Sequence, residues 1–123
     1  MKLKSELNET GVFWLQRRLC PVLERLGKEV TLLFTPDSLT FVQDANTTQG
    51  IRVHAIFKQD VLFHIYGCKS QNDDKICIKV NTTMLVRVLK SIEEGFERVE
   101  MRLVKRRVAE QGNKQLPFLN FNT

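Results

Sequence analysis

Apolar and polar positions along the chain change period several times, and each change marks an element. Leu3, Ser5 and Leu7 alternate with Lys2, Lys4 and Glu6, the two-residue period of a short first strand. From Gly11 to Leu26 the period lengthens. Val12, Leu15, Leu19, Val22, Leu23 and Leu26 recur at intervals of three and four, which predicts an amphipathic helix. Asn8 or Thr10 can cap its start and Gly27 its end, and Pro21 should kink it by removing a helix hydrogen bond. Two-residue alternation returns at Val30, Leu32 and Phe34 and again at Leu39 and Phe41, with Thr35-Pro36-Asp37-Ser38 between them as a tight turn. This is a hairpin.

After a polar loop at Asn46 to Gly50, Ile51, Val53, Ala55 and Phe57 make a further strand. Lys58-Gln59-Asp60 reads as a turn and Val61 to Tyr66 as a short strand. Gln71 to Asp74 reads as a loop, and Ile76, Ile78 and Val80 as the next strand. Leu85, Val88, Leu89 and Ile92 then share one face of a second helix, capped by Asn81 or Thr82 and closed by Gly95. Val99, Met101 and Leu103 form a strand, Lys105 to Gln115 a basic polar loop, and Leu116 to Phe121 a last strand. Pro117 confines that strand to a sheet edge or a strand start.

The order is β-α-β-β-β, weaker strand matter, then β-α-β-β: two similar units with one helix each, an internal repeat of pattern rather than of sequence. The expected fold is α+β, an antiparallel sheet with both helices packed on one face. The expected core is Leu15, Leu19, Leu26, Leu32, Phe34, Leu39, Phe41, Val53, Ile76, Ile78, Leu85, Leu89, Ile92, Met101 and Leu103.

The chain has 123 residues, the size of one ordinary domain. An apolar fraction of 42% with a net charge of +5 excludes a disordered chain. No apolar run reaches the ~20 residues that span a bilayer, so no membrane partner is expected. Charged residues at Lys2, Lys4 and Glu6 stand where a signal peptide would be apolar. Three cysteines, Cys20, Cys68 and Cys77, cannot all pair, which points to a reducing compartment. The Asn-x-Thr sequons at Asn8, Asn46 and Asn81 are therefore read as turn and cap chemistry.

Enzymatic motifs are absent: the chain has no Gly-rich phosphate loop, no His-Glu-x-x-His and no Cys-x-x-Cys. His54, His64, Cys68 and Cys77 could ligate a metal, but their spacing matches no common zinc pattern, and neither metal nor cofactor is expected. Asp73 and Asp74 read as a solvated turn. The helix faces say more. Arg17, Arg18, Arg25 and Lys28 lie off the apolar stripe of the first helix, and Arg87 and Lys90 share a face of the second. Packed side by side, they would form one basic surface that contacts phosphates without reading sequence. An ordinary solvated face is the competing account, and Glu24, Glu93 and Glu94 favour it. Leu116, Phe118, Leu119 and Phe121 make an apolar edge that is either paired within the domain or continues a sheet into another subunit.

Taken in order, several segments resemble the sliding-clamp family, and most closely the N-terminal half of the Hus-one type subunit of the nine-one-one checkpoint clamp. They are Met1-Lys2-Leu3-Lys4; Gly11 to Lys28, with Arg18, Arg25 and Lys28 at the basic positions; Thr31 to Phe41; Leu85-Val86-Arg87-Val88-Leu89-Lys90; and Leu116-Pro117-Phe118-Leu119-Asn120-Phe121. The resemblance implies a single clamp-type domain over residues 1–123, with the second domain of a two-domain subunit not included. It implies a non-enzymatic, nuclear subunit of a heterotrimeric ring around double-stranded DNA. Its partners would be two other clamp subunits, a checkpoint clamp loader, and checkpoint and repair proteins. Arg17, Arg18, Arg25, Lys28, Arg87 and Lys90 would face the DNA backbone, and Leu116 to Phe121 would form the subunit interface. A replicative processivity clamp and a protein-interaction domain without a DNA role are the alternatives, with a metal enzyme built on His54, His64 and Cys68 behind them.

Overall fold

The computed structural model describes residues 2–44, 50, 52–71, 73–92, 99–108 and 114–122; of 105–108 and 114–117 only the backbone course is described. Residues 46–49 of the expected loop Asn46 to Gly50, and Gly95, expected to close the second helix, lie outside these residues.

The α+β class holds, but the strands divide between two antiparallel sheets where the pattern suggests one. Strands β1 (Lys2–Leu7), β5 (Phe63–Lys69), β7 (Val99–Val108) and β8 (Lys114–Asn122) form the first, in the order β5-β1-β7-β8. Strands β2 (Glu29–Phe34), β3 (Ser38–Asp44), β4 (Arg52–Lys58) and β6 (Ile76–Asn81) form the second, in the order β4-β3-β2-β6. Alternation shows which side of a strand is buried; it does not show which sheet the strand joins. One apolar core receives Leu3, Leu7 and Met101 from the first sheet and Leu32, Phe34, Phe41 and Ile76 from the second.

The first helix, α1, runs over residues 9–26 in three pieces: α-helix Glu9–Phe13, π-helix Trp14–Leu19 and α-helix Cys20–Leu26. Asn8 caps it, its Oδ1 accepting from the Gly11 N–H at 2.6 Å. The disturbance expected at Pro21 appears one turn earlier. Pro21 has no N–H for the Arg17 carbonyl and its ring crowds that carbonyl. The turn widens instead, and the Cys20 N–H bonds to Leu15 O, five residues back. The widening shifts the phase of the apolar stripe, so Cys20 and Leu23 are buried while Val22 is turned outward. Gly27 ends the helix in extended backbone, and glycine is needed there for space: a Cβ would come within 2.8 Å of the Asp44 carbonyl oxygen.

The turn and strand expected between Lys58 and Tyr66 begin instead as one helical turn, α2 (Gln59–Leu62), whose Leu62 is buried, and β5 starts at Phe63. The second long helix, α3 (Thr82–Lys90), is capped by Asn81, whose side chain accepts from the Met84 N–H at 3.1 Å. Of the expected basic loop Lys105 to Gln115, residues 105–108 and 114–115 are strand. Strand β7 continues to Val108 and pairs with β8 from Lys114 onward, with Lys105 opposite Pro117 and Arg107 opposite Gln115. Of the expected core, Leu26, Val53 and Leu103 are only half-buried; the other twelve are buried.

Candidate functional site

The two long helices are locked together by polar contacts. Gln16, on the π-helical turn, donates its Nε2 to the carbonyls of Leu89, Lys90 and Ile92 at 3.1, 3.4 and 2.9 Å. Lys90 ends α3 and Ile92 lies two residues beyond it, so the amide of one helix caps the end of the other, sharing Leu89 O with the Ile92 N–H at 3.4 Å. Farther along, Lys90 Nζ of α3 meets Glu24 Oε1 of α1 at 2.9 Å. The pair raises the Lys90 pKa, mainly through that hydrogen bond. A third tie lies at the opposite ends of the helices. Buried Gln43 of β3 donates from Nε2 to Leu23 O, Gly27 O and Thr82 Oγ1 at 3.1, 3.3 and 3.2 Å.

Arg17, Arg18, Arg25, Lys28, Arg87 and Lys90 are all exposed. The structure separates them into different settings. Arg87 and Lys90 border a shallow hollow between the helices, together with Glu24, Thr83 and Ser91. The Arg18 guanidinium lies 5.7 Å above the Phe13 ring, a cation–π contact. Lys28 falls beyond the helix end and borders a different hollow, on the outer face of the second sheet beside Arg52 and Lys79. Lys28 therefore does not join Arg87 and Lys90 around one hollow.

Strand β8 lies at the edge of the first sheet, hydrogen-bonded to β7. Phe118 is exposed, Leu119 and Phe121 are half-buried, and Asn120 points to solvent. Leu116 and Pro117 are placed by the strand register only. Between β8, β6 and α3 runs an apolar groove of about 680 Å³ lined by Val80, Met84, Leu85, Phe118, Leu119 and Phe121. No short-range pattern announces this groove, because it joins segments far apart in the chain.

The possible metal ligands are not brought together. His64 and Cys68 sit on β5 of one sheet, while His54 and Cys77 sit on β4 and β6, opposite edges of the other. His64 Nε2 lies 3.2 Å from Glu6 Oε2, and Cys68 Sγ donates to Asp74 O at 3.0 Å. No group of three metal-ligating side chains occurs among the described residues. Asp73 and Asp74 form a turn with positive φ values of 55° and 56°, and Asp74 Oδ1 accepts from the Ser70 N–H at 3.0 Å. Two contributors to the helix pair do not stand out in the sequence. Gln16 gives no signal there, since a polar helix residue is ordinary. Glu24 reads as a sign of plain solvation, although an acid facing a basic neighbouring helix can also suggest a pair.

Two antiparallel sheets enclosing one core, with two long helices side by side and an open apolar sheet edge, define a clamp-type domain. The family model for Hus1-like proteins matches the chain over residues 1–123, and the chain belongs to that family. A search of curated proteins finds no match. Membership of that family implies a component of the nine-one-one checkpoint clamp, and the family's subunits are generally non-enzymatic scaffolds. No helix among the described residues is long and apolar enough to cross a membrane.

Proposed function

We propose that the chain is one part of a nuclear heterotrimeric ring that encloses double-stranded DNA and marks damaged sites for checkpoint signalling and repair. In this reading α1 and α3 line the ring. Arg17, Arg18, Arg25, Arg87 and Lys90 face backbone phosphates, and Lys28, beside the other hollow, adds charge at the margin. Contacts of point charges with phosphates carry no sequence information, as a mobile clamp requires. Leu116 to Phe121 on β8 continue the first sheet into a neighbouring clamp subunit by strand addition. A clamp loader places the ring, and checkpoint and repair proteins dock on it.

The observation that carries the reading is the pair of helices fixed side by side by Gln16 and the Glu24–Lys90 pair, with exposed arginines on both. The test is charge reversal of Arg18, Arg25 and Arg87, measured as duplex-DNA binding against salt. The expected result is weaker binding for every DNA sequence and a salt slope reduced by about 0.9 for each phosphate no longer neutralised. Unchanged binding would favour a protein-interaction domain without a DNA role. Affinity purification from damaged cells, read by mass spectrometry, tests the partner set; failure to recover other clamp subunits and a loader would remove the checkpoint assignment.

A further inference from the structure

The hollow between α1 and α3 has about 470 Å³ of space and is bordered by Glu24, Thr83, Val86, Arg87, Lys90 and Ser91. Two cations border it, and one anion already occupies it: the Glu24 carboxylate, 2.9 Å from Lys90 Nζ. Both side chains of that pair are about half exposed, 51% for Lys90 and 44% for Glu24. A carboxylate and a phosphodiester are both monoanions that offer two terminal oxygens to an ammonium or guanidinium group. An ion pair this exposed is weak, so a competing anion can displace it. We propose that this hollow is a seat for one backbone phosphate of duplex DNA, held in the DNA-free protein by Glu24 as an internal stand-in. The proposal rests on the reading of the helix face as the DNA-facing surface.

The exchange has a definite electrostatic signature. When a phosphate takes Lys90 from Glu24, the DNA releases a condensed cation, but the ion pair is broken and the freed carboxylate stays beside the phosphate and repels it. The seat is therefore filled only in part in the wild type, and it contributes only part of one released cation. With glutamine at position 24 no pair is broken, the seat fills, and the released cation counts in full. Glu24 therefore weakens the grip on DNA at this seat and lowers the salt dependence, without obstructing the surface.

The test is fluorescence anisotropy of the purified chain with a duplex of arbitrary sequence, titrated across salt concentrations. Glu24→Gln should bind roughly three- to tenfold tighter at about 50 mM salt, with a salt slope steeper by up to about 0.9. Glu24→Gln combined with Lys90→Ala should lose that gain. Glu29→Gln is the matched control, since it removes the same charge from a pair with Lys79 at 3.6 Å on the outer face of a sheet. Equal gains from Glu24→Gln and Glu29→Gln would mean that only net charge matters, and would overturn the seat. So would a gain that survives Lys90→Ala. If charge reversal of Arg18, Arg25 and Arg87 weakens binding while Glu24→Gln changes nothing, the seat alone fails. If neither the reversal nor Glu24→Gln alters binding, or the wild type does not bind at low salt, the DNA-facing reading fails with it.

Discussion

Gly11 is the tightest point in the support of α1, and replacing it with alanine should unfold the chain more readily. A glycine-to-alanine change inside a helix ordinarily stabilises by about 1 kcal/mol. Here the first turn of α1 lies against the backbone of α2. A Cβ at position 11 would overlap the Leu62 carbonyl oxygen and sit 2.9 and 3.0 Å from the Leu62 carbonyl carbon and Cα. Those are backbone atoms, so no rotamer change relieves the contact. Leu62 is fully buried, and its carbonyl accepts from the Asn8 N–H at 2.9 Å. Pushing the turn away should cost about 1–3 kcal/mol as overpacking and about 1 kcal/mol for the hydrogen bond. After the propensity gain is subtracted, the net loss is about 1–3 kcal/mol. For a urea slope of about 1–3 kcal/mol/M, the unfolding midpoint should fall by roughly 1 M. Gly67→Ala is the control: its nearest neighbour is Lys4 O at 3.8 Å, ordinary contact, so its midpoint should stay or rise slightly. A Gly11→Ala protein as stable as the wild type would refute the argument and show that the Leu62 turn yields freely.

Gln16→Leu should cost about 1–2 kcal/mol in the same denaturation assay, because the Lys90 and Ile92 carbonyls lose the side-chain donor that spans from α1; an unchanged midpoint would mean that water replaces the amide without loss. Stability should also fall as the solution is made alkaline. Burial pushes the Cys20 thiol from 9.0 up to about 11, with Lys90 opposing and Glu24 adding to the shift, and burial likewise raises Cys68 and Tyr66. The folded state holds these protons more tightly than the unfolded chain. The Cys20 contribution is therefore complete below pH 9.0 and is lost as the pH rises toward 11, at most about 3 kcal/mol. A melting temperature that stays flat across that interval would contradict the burial of these groups.

Local elements are legible in the sequence wherever one physical rule governs them. Asn8 and Asn81 act as caps because their short side chains reach backbone N–H groups of the first turn, and Thr35 to Ser38 closes its hairpin with a backbone bond of 2.9 Å. The division into two sheets is not legible, since it depends on pairings such as β1 with both β5 and β7, up to ninety-eight residues apart at Lys4 and Arg102. Pro21 announces a disturbance in α1 but not its form; the π-helical turn is one of several ways to accommodate a missing N–H. Lys105 to Gln115 reads as a loop because charge dominates it, yet its residues 105–108 and 114–115 continue the pairing of β7 with β8, which the charge pattern does not reveal. The six cations are legible as a set, while their separate settings depend on where α1 ends and on which acid reaches across from the other helix.

That separation bears on how tightly such a surface can hold DNA. If all six cations each met one phosphate, binding would weaken roughly two-thousandfold between about 50 and about 200 mM salt, from a slope of about 0.9 per contact. Lys28 stands beside the other sheet's hollow, and Lys90 is paired with Glu24. In the proposed reading, if Lys28 and Lys90 add no net contact and the other four cations each meet one phosphate, the same change in salt weakens binding only about 150-fold. A ring that is held on DNA by enclosure does not need the stronger grip, and the stronger grip would slow its movement along the duplex. In the proposed reading the Glu24–Lys90 pair keeps one of the helix cations from holding the DNA too firmly, while the Gln16 amide ties the helices together whether or not that pair is broken.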